Sequence, residues 1–149
     1  MAEFKEFIGS AEVNMDSKGR IVLPVKYREL LGEGFHVTRG YDGCLSVYDK
    51  ENWEEFRDKL LSYRSTNAAA RLIQRKFLSG VEEPVPDKQG KILLSQQLRD
   101  FAGLTKEVIV AGAGNRVEIW DKQRWEEYNN GGMSIEEAAA QLDELGFDF

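Results

Sequence analysis

The segment DSKGRIVLP at residues 16–24 is written a second time as DKQGKILLS at residues 87–95. At a shift of 71 residues, Asp16 falls on Asp87, Gly19 on Gly90, Arg20 on Lys91, Ile21 on Ile92, Leu23 on Leu94, Arg28 on Arg99 and Gly32 on Gly103. One more residue of shift places Gly40 on Gly112, Val47 on Ile119, Tyr48 on Trp120, Trp53 on Trp125 and Phe56 on Tyr128. Rare tryptophans and paired glycines recurring in one order mark a tandem repeat, so the fold must be assembled from two like halves.

Each half reads as a strand entering an Asp-x-x-Gly turn, a second strand (RIVL or KILL), a short helix and two further strands. In the first helix, PVKYRELL, Pro24 suits the first turn and Gly32 the stop. In its counterpart, SQQLRDFA, Ser95 is the expected N-cap and Gly103 the stop. Two helices are expected between the halves. ENWEEFRDKLLSY places Trp53, Phe56 and Leu60 on one face, and NAAARLIQRKFLSG follows a polar break near Ser65 to Asn67. After the second half, DKQRWEEY echoes the Trp53 helix, NNGGMS reads as a linker, and Ser134 with Glu137 opens an acidic amphipathic helix. The expected organisation is a first repeat over 10–52, helices over 53–81, a second repeat over 82–125 and an acidic helical tail over 126–149. The class is α+β, mainly β. A lone four-stranded unit would leave open edges and one apolar face. Pairing the halves about a pseudo-two-fold axis removes both problems and brings the two turns near each other.

The 149 residues suffice for one domain or two small subdomains sharing a core. No apolar run approaches the ~20 residues of a membrane span, and the first ten residues lack a signal-peptide pattern. The single cysteine, Cys44, excludes an internal disulfide. These features lead us to expect a cytoplasmic protein that is not membrane-bound. The net charge of −6 is unevenly spread. Residues 126–149 hold seven carboxylates and no Lys or Arg, and residues 1–125 hold 20 basic against 19 acidic residues. The whole-chain charge therefore does not exclude a nucleic-acid face, which depends on local patches.

Asp16 and Asp87 suit the start of a tight turn, because a carboxylate there accepts backbone N–H groups, and Gly19 and Gly90 supply positive φ. Nothing in that geometry requires cations. Yet Lys18 and Arg20 flank the first glycine, and Lys88 and Lys91 the second. Such cations on two symmetry-related turns suit phosphate contacts, and Arg20 also suits bidentate reading of a guanine edge. Set against this is the ordinary reading of solvated hairpin tips.

The segments NMDSKGRIVLPVKYRELLG, GCLSVYDKENWEEF and VPDKQGKILLSQQLRDFAGLTKEVIVAGAGNRVEIWDKQRWEEY resemble the MraZ family of bacterial transcriptional regulators, over roughly residues 7–128. That resemblance implies a swapped-hairpin β-barrel of the AbrB-like type, closed within one chain by its two tandem repeats and flanked by helices. It implies a nucleoid-associated repressor that binds direct repeats in double-stranded DNA upstream of the division and cell-wall gene cluster, working as a ring-shaped homo-oligomer. The family's turn arginine corresponds to Arg20, and in the second half to Lys91. Lysine keeps the charge but loses the planar fork, which favours phosphate contact over base reading. Lys18 and Lys88 are supporting candidates. The alternative is a protein-interaction module, such as an antitoxin-like protein using its acidic tail to hold a partner.

No cofactor, metal, catalytic set or small-molecule substrate is expected. His36 and Cys44 lie in an expected hairpin without further ligands. GAGN at residues 112–115 lacks the glycine spacing of a phosphate loop and reads as a hairpin turn. Tyr48, Trp53, Trp120 and Trp125 are expected in packing contacts, not base stacking. Arg64, Arg71 and Arg75, spaced seven and four apart, are expected on one helical stripe facing solvent or another subunit.

Overall fold

The computed structural model describes residues 5–148. The first half contributes β1 (Ser10–Asn14), β2 (Arg20–Val22), α1 (Val25–Leu31), β3 (His36–Arg39) and β4 (Leu45–Tyr48). Helices α2 (Lys50–Ser62) and α3 (Ala68–Ser79) follow. The second half contributes β5 (Lys91–Leu93), α4 (Gln96–Ala102), β6 (Glu107–Gly112) and β7 (Val117–Asp121). The chain continues through α5 (Lys122–Gly131) and α6 (Ile135–Glu144).

Five strands form one sheet in the order β1-β6-β7-β4-β3, all neighbours antiparallel, and β2 pairs with β5 as a separate ribbon. The register carries the repeat's symmetry. Ile21 pairs with Ile92, its own counterpart, and Ser46 pairs with Glu118, likewise its own counterpart. A pseudo-two-fold axis therefore passes through the middle of the ribbon and between β4 and β7. Strand exchange between halves follows from it: β1 pairs with β6 of the second half, and Glu82 bridges to Val37 of β3 in the first. The first half thus supplies a strand to the edge of the second, and the second half returns a single bridge to the edge of the first.

The α+β class and the two-fold assembly match expectation, but the barrel is not closed. The second half also has three strands instead of four. Its leading segment is reduced to the single Glu82–Val37 bridge, because Pro84 and Pro86 have no N–H to extend a ladder. The three-residue β2 and β5 pair only with each other and so lie across the sheet without sealing it.

The core lies between ribbon and sheet. Ile21, Leu23, Ile92 and Leu94 face Val37, Leu45, Val47, Val108, Val110, Val117 and Ile119, and all are almost fully buried. Alternation along β6 puts Val108 and Val110 on this face. Helices α1 and α4 close the sides with Tyr27 and Leu31, and with Leu98 and Ala102. Each helix ends at a glycine with positive φ, Gly32 and Gly103. Ser95 caps α4 by accepting from the Leu98 N–H. Pro24 instead stands just before α1.

Aromatic side chains fix α2 and α5 to the opposite face. His36 stacks on Trp53 at 4.8 Å, Tyr48 on Phe56 at 5.0 Å, and Phe77 of α3 meets Phe56 edge-on at 5.3 Å. In the second half, Trp120 meets Trp125 and Tyr128, each at 5.6 Å. Tyr48, Trp53 and Trp120 are buried and Trp125 half-buried, consistent with packing. Two expected boundaries move. The segment read as a linker begins as helix, since α5 runs on through Asn129, Asn130 and Gly131, with the Asn129 amide donating to the Trp125 carbonyl. Arg64 lies in the loop between α2 and α3, so it does not share a helical stripe with Arg71 and Arg75. GAGN joins β6 to β7 as a hairpin turn, with the Ala113 N–H donating to the Arg116 carbonyl.

Candidate nucleic-acid interface

The turns at residues 16–20 and 87–91 are built alike. The Asp16 carboxylate accepts from the Lys18 and Arg20 N–H groups, both at 2.9 Å, and the Asp87 carboxylate from the Gln89 and Lys91 N–H groups at 2.8 and 2.9 Å. These backbone bonds, above all those from Arg20 and Lys91, hold both carboxyls below the usual Asp range. Gly19 and Gly90 sit at φ +85° and +79°.

The side chains divide the two turns. Arg20 Nε donates to Asp16 Oδ2 at 2.8 Å, and Lys91 Nζ reaches across the ribbon to the same oxygen at 3.8 Å. The antiparallel register makes this crossing possible, since Lys91 lies opposite Val22, two residues along from Arg20. Cations from both halves therefore converge on one carboxylate of the first half. Asp87 carries no such side-chain pair among the described residues, although the Arg20 and Lys91 charges contribute to its lowered pKa. Lys18 and Lys88 are exposed at the corners and form no ion pair among the described residues.

Two further arginines belong to this architecture, and the sequence had shown them only as a matched pair in the repeat. Each comes from the short helix of one half and packs against the turn glycine of the other. A Cβ at Gly19 would lie 2.6 Å from the Arg99 guanidinium, and a Cβ at Gly90 would collide with that of Arg28. Arg99 Nε donates to the Leu94 carbonyl at 3.0 Å, while the Leu94 N–H donates to the Gly19 carbonyl at 3.0 Å. Arg28 Nε is buried and has no hydrogen-bond partner among the described residues. Glycine at these positions thus serves both φ and close approach. The signal available beforehand was the shared 71-residue offset of Arg28 and Arg99 with the turns.

Elsewhere the chemistry is that of packing. Cys44 is buried, its thiol pushed up to about 12 mainly by burial. Among the described residues no group of three His, Cys, Asp or Glu side chains is placed to hold a metal ion. No helix among them is long and apolar enough to cross a membrane.

A pseudo-symmetric α+β body of two tandem repeats, joined by strand pairing between the halves and carrying paired cationic turns, is the class of protein that fold and site define. The family model described as "MraZ protein, putative antitoxin-like" matches the chain twice, over residues 7–76 and 77–145. The chain belongs to the MraZ family. It is 47% identical over 143 residues to a protein named transcriptional regulator MraZ from Heliobacterium modesticaldum, covering 95% of this chain and 99% of that one. A protein of the same name from Clostridium tetani is 42% identical over 140 residues, covering 94% and 99%. One from Thermoanaerobacter sp. is 47% identical over 139 residues, covering 93% and 97%. Among solved structures, the solution structure of PHS018 from Pyrococcus horikoshii matches with a TM-score of 0.34 at 17% identity, covering 74% of this chain and 94% of that one.

Proposed function

We propose that this chain is a sequence-specific, DNA-binding transcriptional regulator whose DNA-facing surface is the pair of cationic turns. The observation that carries the reading is the convergence of Arg20 and Lys91, from opposite halves, on Asp16. With Nε engaged by Asp16, the Arg20 guanidinium keeps both terminal nitrogens for the O6 and N7 acceptors of a guanine. Lys91 is a point charge suited to a backbone phosphate. Lys18 and Lys88 add phosphate contacts from the exposed corners. The names of the relatives support the regulatory role.

The finer reading is a repressor of the division and cell-wall gene cluster, binding upstream direct repeats in the nucleoid as a ring-shaped oligomer. Several copies engaging successive DNA repeats raise a weak single-site affinity by avidity. The test is fluorescence anisotropy on DNA from upstream of the protein's own gene, at matched salt, with a scrambled duplex alongside. Arg20→Ala is expected to cost about 1–3 kcal/mol on the specific duplex and to erode discrimination. Lys91→Ala should weaken both duplexes alike and lower the salt slope by about one. Parental affinity and discrimination in Arg20→Ala would remove Arg20 from the interface.

A further inference from the structure

The two turns share their carboxylates and glycines, but the opposite half does not hold them equally. The peptide group joining Gly19 to Arg20 is fixed at both ends. Its N–H donates to Asp16 Oδ1 at 2.9 Å, within the turn. Its carbonyl accepts from the Leu94 N–H at 3.0 Å, from the second half. The Leu94 carbonyl in turn accepts from Arg99 Nε at 3.0 Å. Arg99 therefore completes a relay that runs from α4 through Leu94 to the residue preceding Arg20. Its guanidinium also lies over Gly19, which is buried.

The second turn lacks this relay. The Lys91 N–H donates to Asp87 Oδ1 at 2.9 Å, as in the first turn. Among the described residues, however, Leu23, the counterpart of Leu94, makes no bond to the Gly90 carbonyl. Arg28, the counterpart of Arg99, lies against Gly90 with its Nε unpartnered among them. The difference matches the side chains that the turns carry. Bidentate reading of a base edge needs a guanidinium held to within about 0.5 Å and 10–20°. A lysine at a phosphate acts as a point charge on a flexible stem and carries no sequence information.

We propose that Arg99 is a positioning residue for sequence reading: from the second half, through Leu94 and Gly19, it sets the direction in which Arg20 of the first half meets a guanine edge. Arg99 itself makes no contact with DNA. Arg28 has no such part, because its guanidinium is not tied to the backbone that carries Lys91. The turn held from both halves thus bears the planar, base-reading side chain, and the turn held less firmly bears the lysine. Sequence discrimination in the first half then depends on how the second half docks against it. The inference rests on the assignment of Arg20 to the DNA interface.

The test uses the full chain and reads the ratio of its affinities for the upstream duplex and the scrambled duplex, at matched salt. Arg99→Ala is expected to lower that ratio about tenfold, the factor that goes with one lost charge-assisted hydrogen bond. Partial unfolding lowers both affinities alike and leaves the ratio unchanged, so the ratio separates positioning from stability. Arg99→Lys keeps the cation but places a methylene where Nε donates, and should not restore the ratio. Arg28→Ala should weaken both duplexes alike. In an Arg20→Ala background, Arg99→Ala should cause no further fall in the ratio. A parental ratio in Arg99→Ala would overturn the proposal. So would an equal loss on both duplexes, with a salt slope lower by about one and recovery in Arg99→Lys, which marks a direct phosphate contact. An equal fall in the ratio for Arg28→Ala, or one that persists undiminished without Arg20, would overturn it as well. If Arg20→Ala keeps the parental ratio, the DNA-binding assignment fails and takes the inference with it. If Arg20→Ala loses the ratio and Arg99→Ala does not, the assignment stands and only the inference falls.

Discussion

Replacing Gly19 by Ala tests whether the turns are braced across the two halves. Gly19 has φ +85°, where any L side chain is strained by about 1–2 kcal/mol. The added Cβ would also stand 2.6 Å from Arg99 Cζ and Nε. Arg99 is flexible at its end, so the collision is relieved by moving the guanidinium. That movement breaks the 3.0 Å bond from Nε to the Leu94 carbonyl. A bond from a charged donor contributes about 1.5 kcal/mol at the low end of its range, the end suited to a half-buried arginine. The expected total destabilisation is about 3 kcal/mol. Gly114 provides the control, with φ +84° and, among the described residues, nothing within 4 Å of an added Cβ. Gly114→Ala should therefore cost only the strain, about 1–2 kcal/mol. Both are measured by urea unfolding followed through tryptophan fluorescence at one protein concentration. Repeating Gly19→Ala in an Arg99→Ala background should bring its cost down to that of Gly114→Ala, a coupling of about 1.5 kcal/mol. Equal costs for Gly19→Ala and Gly114→Ala in the parent chain, within about 0.5 kcal/mol, would refute the bracing.

Other consequences follow from the same geometry. Asp16 and Asp87 have folded pKa values lowered below the ordinary 3.8, so their stabilisation is complete above the unfolded pKa. It is lost as pH falls through the lowered folded values, and the urea midpoint should drop between about pH 5 and pH 2. Asp87→Asn should flatten that slope, and an unchanged slope in a double Asp16→Asn, Asp87→Asn variant would exclude these carboxylates as its source. Cys44, buried and with its thiol near 12, should resist a thiol reagent at pH 8 in the folded chain and react fully in denaturant. Rapid native labelling would show that the Gly40–Cys44 segment opens.

Chemistry local to a few residues was legible from the chain alone. The Asp-x-x-Gly turns, the Ser95 and Ser134 caps and the glycine stops depend on bonds to backbone groups within four or five positions. The repeat offset carried more, because counterparts must pair with each other across a pseudo-two-fold axis, as Ile21 does with Ile92. Periodicity also placed Trp53 and Leu60 inward on α2. The same periodicity misassigned Arg64, since spacing alone does not show where a helix ends, and Asn129 to Gly131 continued a helix despite their loop-like composition.

What the amino-acid sequence determined by itself is the doubled plan: two like halves, two cationic turns, and an arginine in one turn where the other has lysine. What only tertiary structure decided is how those halves engage. It left the segment before the second turn as a single bridge, laid Arg28 and Arg99 against the opposite turn glycines, and gathered Arg20 and Lys91 on Asp16 but not on Asp87. The physical reason is range. Turns and caps are closed by neighbours along the chain, whereas edge pairing and shared carboxylates join residues some 70 positions apart, and their geometry exists only once both halves have packed on one core.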